Sequence, residues 1–248
     1  MILPRRQLLL GGGALALAGC DRVLEIPAAR RVLFAGDDVH RGLHHALTDR
    51  GALAREYRPE QMSPVFRVNG THDPNTPLYN RLAAGGFANW RLRVGGLVDR
   101  PLSLSLQQLR SMPQRDQITR HDCVEGWSAI GRWTGPMLRT ILDAAGLRRS
   151  ANFIVFRCAD LYPQGHYYES VDMIDARHPQ TIVALNMNGR PLDIGHGAPA
   201  RLRVERQLGY KQPKYLMEVE AVAGLDAIGL GRGGYWEDHY DYDWYAGI

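Results

Sequence analysis

Thr119-Arg120-His121-Asp122-Cys123-Val124-Glu125-Gly126-Trp127-Ser128 sets a single thiol among a histidine, two carboxylates and an indole. Such company suits a thiolate metal ligand with polar neighbours better than a cysteine packed in a core. The chain is therefore a candidate metallocofactor enzyme, and the segment is a natural place from which to read outward.

On the N-terminal side, Trp90, Leu92 and Val94 alternate with Arg91 and Arg93 before Gly95-Gly96, the pattern of a half-buried strand entering a turn. Leu102, Leu104 and Leu106 alternate as well, and Leu106 to Leu109 reads equally as the opening of a short helix. On the C-terminal side, residues 136–146 predict the clearest helix. Thr134 stands as its cap, Pro136 in its first turn, Leu138, Ile141, Leu142 and Ala145 on one face, and Gly146 as its stop. Phe153 to Phe156 and Thr181 to Leu185 read as buried strands. Asn188-Gly189 is a tight-turn signal, and Arg201 to Glu205 and Leu216 to Val222 alternate. The pattern is that of an α+β protein, rich in mixed β-sheet with a few helices.

The chain has 248 residues, 45% of them hydrophobic, enough to bury a full core without disulfides or structural zinc. Its formal charge of +4 is spread along the sequence, which argues against nucleic acid as a partner. Of its 30 basic Lys and Arg residues only two are lysines, Lys211 and Lys214, and they fall in one short segment.

Residues 1–20 begin with Pro4-Arg5-Arg6, continue through a Gly/Ala/Leu run and end in Leu17-Ala18-Gly19-Cys20. This reads as an export signal, twin-arginine in style, ending in a lipobox whose Cys20 would carry the lipid anchor. Two acyl chains there would hold the protein stably on a membrane, and Asp21 fits retention at the inner membrane. The expected location is the periplasm, on the inner membrane, with signal cleavage alone as the alternative. Residues 21–85 read as an extended or partly helical arm, and 86–230 as the main domain. In 231–248, the stretch from Tyr235 to Ile248 holds six aromatic residues and four carboxylates with no Lys or Arg. The preferred reading is a tail that packs its rings across the domain. A lid or docking strip is the alternative.

Spacing alone leaves Cys123 open between a disulfide with Cys158 and a free or metal-bound thiol. A nucleophilic cysteine with His121 as base also remains open, although neighbouring side chains seldom face one another. Zinc is disfavoured, since no Cys-x-x-Cys or His-x-x-x-His spacing occurs.

Cys123-Val124-Glu125-Gly126-Trp127-Ser128, with Trp133 and Gly135-Pro136-Met137-Leu138 behind it, resembles the sulfite oxidase superfamily of molybdopterin enzymes, especially its bacterial sulfoxide-reductase-like branch. The likeness runs in order from about Trp90 to Val222 and includes Gly197-Ala198-Pro199-Ala200-Arg201-Leu202. It implies the mixed sheet-rich fold of that family and a molybdenum-molybdopterin cofactor, expected in the plain form without added nucleotide. It further implies Cys123 as the metal's thiolate, with Glu125 and Trp127 as catalytic neighbours. By the same resemblance His196, in place of the family's asparagine, and Arg201 would contact the cofactor. Lys211, Gln212, Pro213 and Lys214 would form its phosphate region, and Cys158 and Asn69 would add contacts.

The implied chemistry is oxygen-atom transfer. Glu125 near the metal disfavours a dianion by like-charge repulsion, so a neutral sulfoxide or similar oxide is the expected substrate. Sulfite oxidation, with Arg120 or Arg132 as anion contacts, is the runner-up. A non-catalytic lipoprotein binding module is the reading from another class. The sequence offers no haem-attachment or iron–sulfur spacing of its own. A membrane cytochrome or quinone-linked protein is therefore the expected electron partner.

Overall fold

A computed structural model describes residues 26–248. The export signal and its Cys20 lie outside the described residues. The chain divides at Asp49/Arg50 into two compact units. In the first, helix α1 (Pro27–Leu47) starts with proline in its first turn and ends where the Thr48 hydroxyl donates to the His44 carbonyl at 2.7 Å. No helix among the described residues is long and apolar enough to cross a membrane.

The second unit takes in the rest of the expected arm. From Arg50 onward that segment lies along the domain, with the Tyr57 amide donating to the Ile118 carbonyl and the Ser63 amide to that of Ile130. Helix α2 (Pro77–Ala84) follows, its first turn capped by the Thr76 hydroxyl.

A five-stranded sheet forms the centre. Strands β1 (Leu92–Gly96) and β2 (Leu102–Leu104) pair antiparallel. Leu92 and Val94 turn inward while Arg93 faces solvent, as the alternation requires. Helix α3 (Leu106–Ser111) starts where Ser105 and Gln108 cap each other reciprocally, which resolves the ambiguity at Leu106 in favour of helix.

Strands β3 (Gln114–Asp122) and β4 (Ser128–Pro136) make a hairpin whose loop is the Cys123–Trp127 segment. Helix α4 (Leu138–Ala145) buries Leu138, Ile141, Leu142 and Ala145 completely and ends at Gly146 in the left-handed conformation. Each fully buried Leu or Ile contributes about 1.5–3 kcal/mol. Thr134 does not cap it. Gly135 and Pro136 remain in β4, paired with Arg115 and Gln114, and the Thr134 hydroxyl donates to Asp116. The first helical amide, on Leu138, instead finds the Thr181 carbonyl at 2.9 Å.

Strand β5 (Phe153–Tyr162) pairs with β6 (Gly165–Asp172). Short helix α5 (Met173–Arg177) leads to β7 (Ile182–Ala184). Strands β8 (Asn186–Met187) and β9 (Arg190–Pro191) join the hairpin's sheet around the Asn188-Gly189 turn. Strand β10 (Arg201–Arg203) pairs with β7. Finally β11 (Leu216–Val222) inserts between β1, to which it is parallel, and β5, to which it is antiparallel. The central order is β2-β1-β11-β5-β6, and that of the hairpin's sheet is β3-β4-β8-β9. The expected α+β class is the observed one.

The tail packs its rings into the domain. Tyr235 and Glu237 of helix α6 (Tyr235–Tyr240) are fully buried, the Trp244 indole donates to Ser170 at 2.8 Å, and Gly247 bridges to Gln207.

Candidate active site

The loop that carries Cys123 is closed by two backbone bonds, from the Cys123 amide to the Trp127 carbonyl at 2.9 Å and from the Gly126 amide to the Cys123 carbonyl at 3.0 Å. Cys123 and Cys158 are both free thiols, which removes the disulfide. Burial, with the nearby Glu125 charge, pushes the Cys123 thiol above its ordinary value. A metal at sulfur would reverse that balance, because coordination stabilises the thiolate directly. The Trp127 indole N–H donates to Glu125 Oε2 at 3.0 Å, so the two neighbours act as a pair. Trp127 also leans on His121 and meets Phe66 edge-on.

His121 does not face Cys123 as a base. Its Nδ1 lies 3.0 Å from the Arg203 guanidinium, which can only donate, so Nδ1 accepts and Nε2 carries the proton. Burial first, and Arg203 and Arg201 next, hold it well below the usual histidine range, hence neutral. A Cβ at position 209 would lie 2.5 Å from its Nε2, so only glycine fits there. Arg203 is neutralised by Glu205 at 2.6 and 2.9 Å and rests over the Trp133 ring.

Cys123, Val124 and Glu125 open on a cavity of about 130 Å³. One side is made by Asn69, Gly70 and Thr71 and the segment Gln212, Pro213, Lys214; another by Asp160 and Tyr162 from the end of β5. Tyr167, Tyr210, Trp236 and Tyr242 supply aromatic surface. Lys214 Nζ donates to the carbonyls of Asn69 at 2.7 Å, Gly195 at 2.9 Å and Thr71, with no carboxylate among these partners. Burial, helped by Arg201, brings its pKa down to about 7. Position 197 must be glycine, since a Cβ there would lie 2.9 Å from that of Lys214.

Arg201 is fully buried, donating to the carbonyls of His196 at 3.2 Å and Gln212 at 3.3 Å while its Nε finds no partner. Burial, then repulsion from Arg203, lowers it to about 9. Lys214, held by carbonyls alone, is short of a counter-charge that a phosphate would supply, whereas Arg201 is not among the residues that line the cavity. Asp160 Oδ1 is a buried acceptor without a partner on a residue that lines the cavity. It suits the N–H edge of a pterin. The residues present fit the molybdopterin that the sequence implies.

Several sequence expectations take a different form. Lys211 does not reach the cavity; its ammonium lies fully buried between Glu169 and Glu237, 2.8 Å from the latter. Burial opposes its charge, but the two glutamates outweigh it and keep it protonated. Cys158 sits in the apolar core, and an irregularity of β5 between Arg157 and Leu161 gives the cavity Asp160 and Tyr162 in its place. The ring of His196 is taken up by Asp193 at 2.8 Å and the Phe66 carbonyl at 3.2 Å, so only its backbone serves Arg201. Asn69, Gln212, Pro213 and Lys214 do line the cavity. Sequence reasoning passed over Asp160, Tyr162 and Tyr167, for which no local signal existed. It singled out the tail that brings Trp236 and Tyr242.

The family model for the oxidoreductase molybdopterin binding domain matches residues 81–224. The chain is 35% identical over 243 residues to a putative protein-methionine-sulfoxide reductase subunit, YedZ1, of Azospira oryzae, covering 98% of this chain and 86% of that protein. It is 31% identical to the protein-methionine-sulfoxide reductase catalytic subunit MsrP of Campylobacter jejuni and 35% identical to that of Xanthomonas axonopodis pv. citri. These matches cover 53% and 54% of this chain and 48% and 45% of theirs. The chain thus spans about half the length of those two relatives. The sulfane dehydrogenase SoxCD of Paracoccus pantotrophus shares the fold, with a TM-score of 0.50 at 21% identity over 55% of this chain and 39% of its own. With the matched model spanning the central sheet, the Cys123 hairpin and the Lys214 segment, the chain belongs to the molybdopterin-binding oxidoreductase family and is an enzyme of that family.

Proposed function

We propose that this molybdopterin oxidoreductase reduces a sulfoxide or similar neutral oxide, with Cys123 Sγ as the protein's ligand to molybdenum. The observation that carries the reading is the charge of the cavity onto which Cys123 opens. Its lining bears the carboxyls of Glu125 and Asp160, and Lys214 is the one Lys or Arg there among the described residues. Beside Cys123 a dianion such as sulfite would be repelled by the Glu125 carboxylate, whereas a neutral S=O group would not, and Lys214 is left to the cofactor's anionic end. The runner-up's anion contacts are occupied elsewhere: Arg120 pairs with Asp122 at 2.9 Å and Arg132 with Asp116 at 2.7 Å. The names of the relatives point the same way.

In the overall reaction the sulfoxide takes up a pair of electrons and a pair of protons, its S=O bond breaks, and a thioether and a water molecule leave. When bound, the cofactor supplies the two-electron oxygen-atom transfer. Cys123 Sγ would hold the metal, and Lys214 the anionic end of the pterin. Glu125, steadied by the Trp127 indole, stands two residues from the thiol at the rim, placed to pass protons inward. Asp160, raised to about 7 by burial, can hold a proton near neutral pH on the same cavity. Electrons would come from a membrane cytochrome or quinone-linked partner. Export to the periplasm and an inner-membrane anchor at Cys20 belong to the same reading, supported by the Leu17-Ala18-Gly19-Cys20 motif.

Steady-state assays on molybdenum-loaded protein test it with both substrates. Sulfoxide reduction is expected to exceed sulfite oxidation; strong sulfite turnover without sulfoxide reduction would overturn it. Cys123→Ala should lose most of its bound molybdenum by elemental analysis, and unchanged content would remove Cys123 as ligand.

A further inference from the structure

Helix α1 has its amphipathic pattern reversed. At 3.6 residues per turn, Val32, Val39, Leu43 and Leu47, with Ala35 and Ala46 beside them, fall within an arc of roughly 120° on one face. All of these side chains are exposed, Val32 by 74%, Val39 by 72% and Leu47 by 76%. A Cβ at Gly36, in the middle of the stripe, would meet nothing within 4 Å. The opposite face carries Arg41, His44 and His45, and those are half-buried. A helix on the surface of a globular domain does the reverse, turning its apolar stripe inward and its charges out. Single exposed valines or leucines need no explanation, but a stripe unbroken over about four turns does.

The place of the stripe in the chain points to what covers it. Cys20, the lipid-anchor position of the reading above, stands just before the helix. Even fully extended, the chain from Cys20 to Ile26 reaches no farther than about 20 Å. Acyl chains on Cys20 would therefore hold the start of α1 at the bilayer surface, where an exposed apolar stripe meets an apolar phase without any further partner. The helix does not enter as a span, since no helix among the described residues is long and apolar enough to cross a membrane. A polar face with Arg41, His44 and His45 suits the headgroup layer instead.

We infer that α1 is a membrane-surface helix, with the face formed by Val32, Val39, Leu43 and Leu47 seated at the boundary between headgroups and acyl chains of a phospholipid bilayer. The choice of a bilayer over a second copy of this chain rests on the Cys20 reading above. Attachment then has two signals, a lipid at Cys20 and an apolar helix directly after it, and the helix lies flat because its apolar residues share one face.

The test uses the cofactor-loaded chain from residue 21 onward, which keeps α1 and carries no lipid, so that the helix acts alone. It is mixed with vesicles of phosphatidylethanolamine and phosphatidylglycerol, and binding is read by co-sedimentation. The unlipidated chain is expected to bind. Val39→Asp and Leu43→Asp should each weaken binding by about tenfold, while Leu230→Asp, at an exposed leucine of the second unit, leaves it unchanged. Leu43→Trp should add emission that vesicles shift to the blue and that brominated acyl chains quench, a readout that needs no destabilising charge. No vesicle binding by the unlipidated chain, or equal losses at Leu43→Asp and Leu230→Asp, would overturn the inference. So would a dimer in light scattering that Leu43→Asp breaks and that binds no vesicles, for then a second copy covers the stripe. The anchor fails separately: exported full chain that takes up no labelled palmitate would remove the Cys20 reading, whatever α1 does on vesicles.

Discussion

Lys211 and Lys214, three residues apart and the only lysines in the chain, have opposite surroundings. Lys211 is sealed between two glutamates that hold it protonated, and it ties the tail to the sheet. Lys214 faces the cavity, hydrogen-bonded to carbonyls alone, with its pKa brought down to about 7. The first completes a charge balance inside the protein; the second leaves one to be completed by a ligand. The difference teaches that a buried cation is read by its partners, since burial alone describes both.

The largest expected effect comes from removing the partnered cation. Lys211→Met strands Glu169 and Glu237 together in the interior and should destabilise the fold by about 3–5 kcal/mol, measured by denaturant titration. A loss below about 1 kcal/mol would break the contrast. Lys214→Met, by comparison, should change cofactor-free stability by no more than about 1 kcal/mol, because it deletes a cation already burdened by desolvation. It should weaken cofactor retention by about 10- to 100-fold, the worth of one charge-assisted hydrogen bond, read as pterin and molybdenum content after dialysis.

A pH titration sharpens the same contrast with a smaller effect. The folded pKa of Lys214 is lowered from 10.5 to about 7, so between those values the unfolded chain binds a proton that the folded, cofactor-free protein does not. This group's contribution to cofactor-free stability therefore rises with pH across that window. Phosphate binding would restore the proton, so cofactor affinity should fall as pH rises above about 7. Lys214→Met should flatten both slopes. The smallest effect is expected at Asp160, raised to about 7 by burial, where folding takes up a proton and this group's contribution declines as pH climbs from 3.8 towards 7. Asp160→Asn should remove that decline, measured by thermal midpoints across roughly pH 4 to 8.

Much of the fold was legible because it rests on local rules. The alternation of Leu92 and Val94, the α4 face from Leu138 to Ala145 with its Gly146 stop, and β11 from Leu216 to Val222 all appear where periodicity puts them. The start of α4 was misread. Thr134 and Pro136 are good helix-start residues, yet pairing with β3 outweighs that preference and keeps them in a strand. At the site, Cys123 and Glu125 and the segment from Gln212 to Lys214 converge on one cavity, while Trp127 is not among its lining residues. Cys158 and the ring of His196 turn elsewhere, because a strand irregularity and an Asp193 contact decide their directions, and neither is visible in spacing.

The sequence by itself determined the α+β class, the motif that carries Cys123, and the family, since each depends on short-range pattern or contiguous motif. Only the tertiary structure decided which lysine meets the cavity, that Asp160 joins it, and that Trp236 and Tyr242 return from the C-terminal segment to wall it. Those outcomes depend on contacts between residues far apart in the chain. Side-chain direction and counter-charge there are set by packing, which no local pattern encodes.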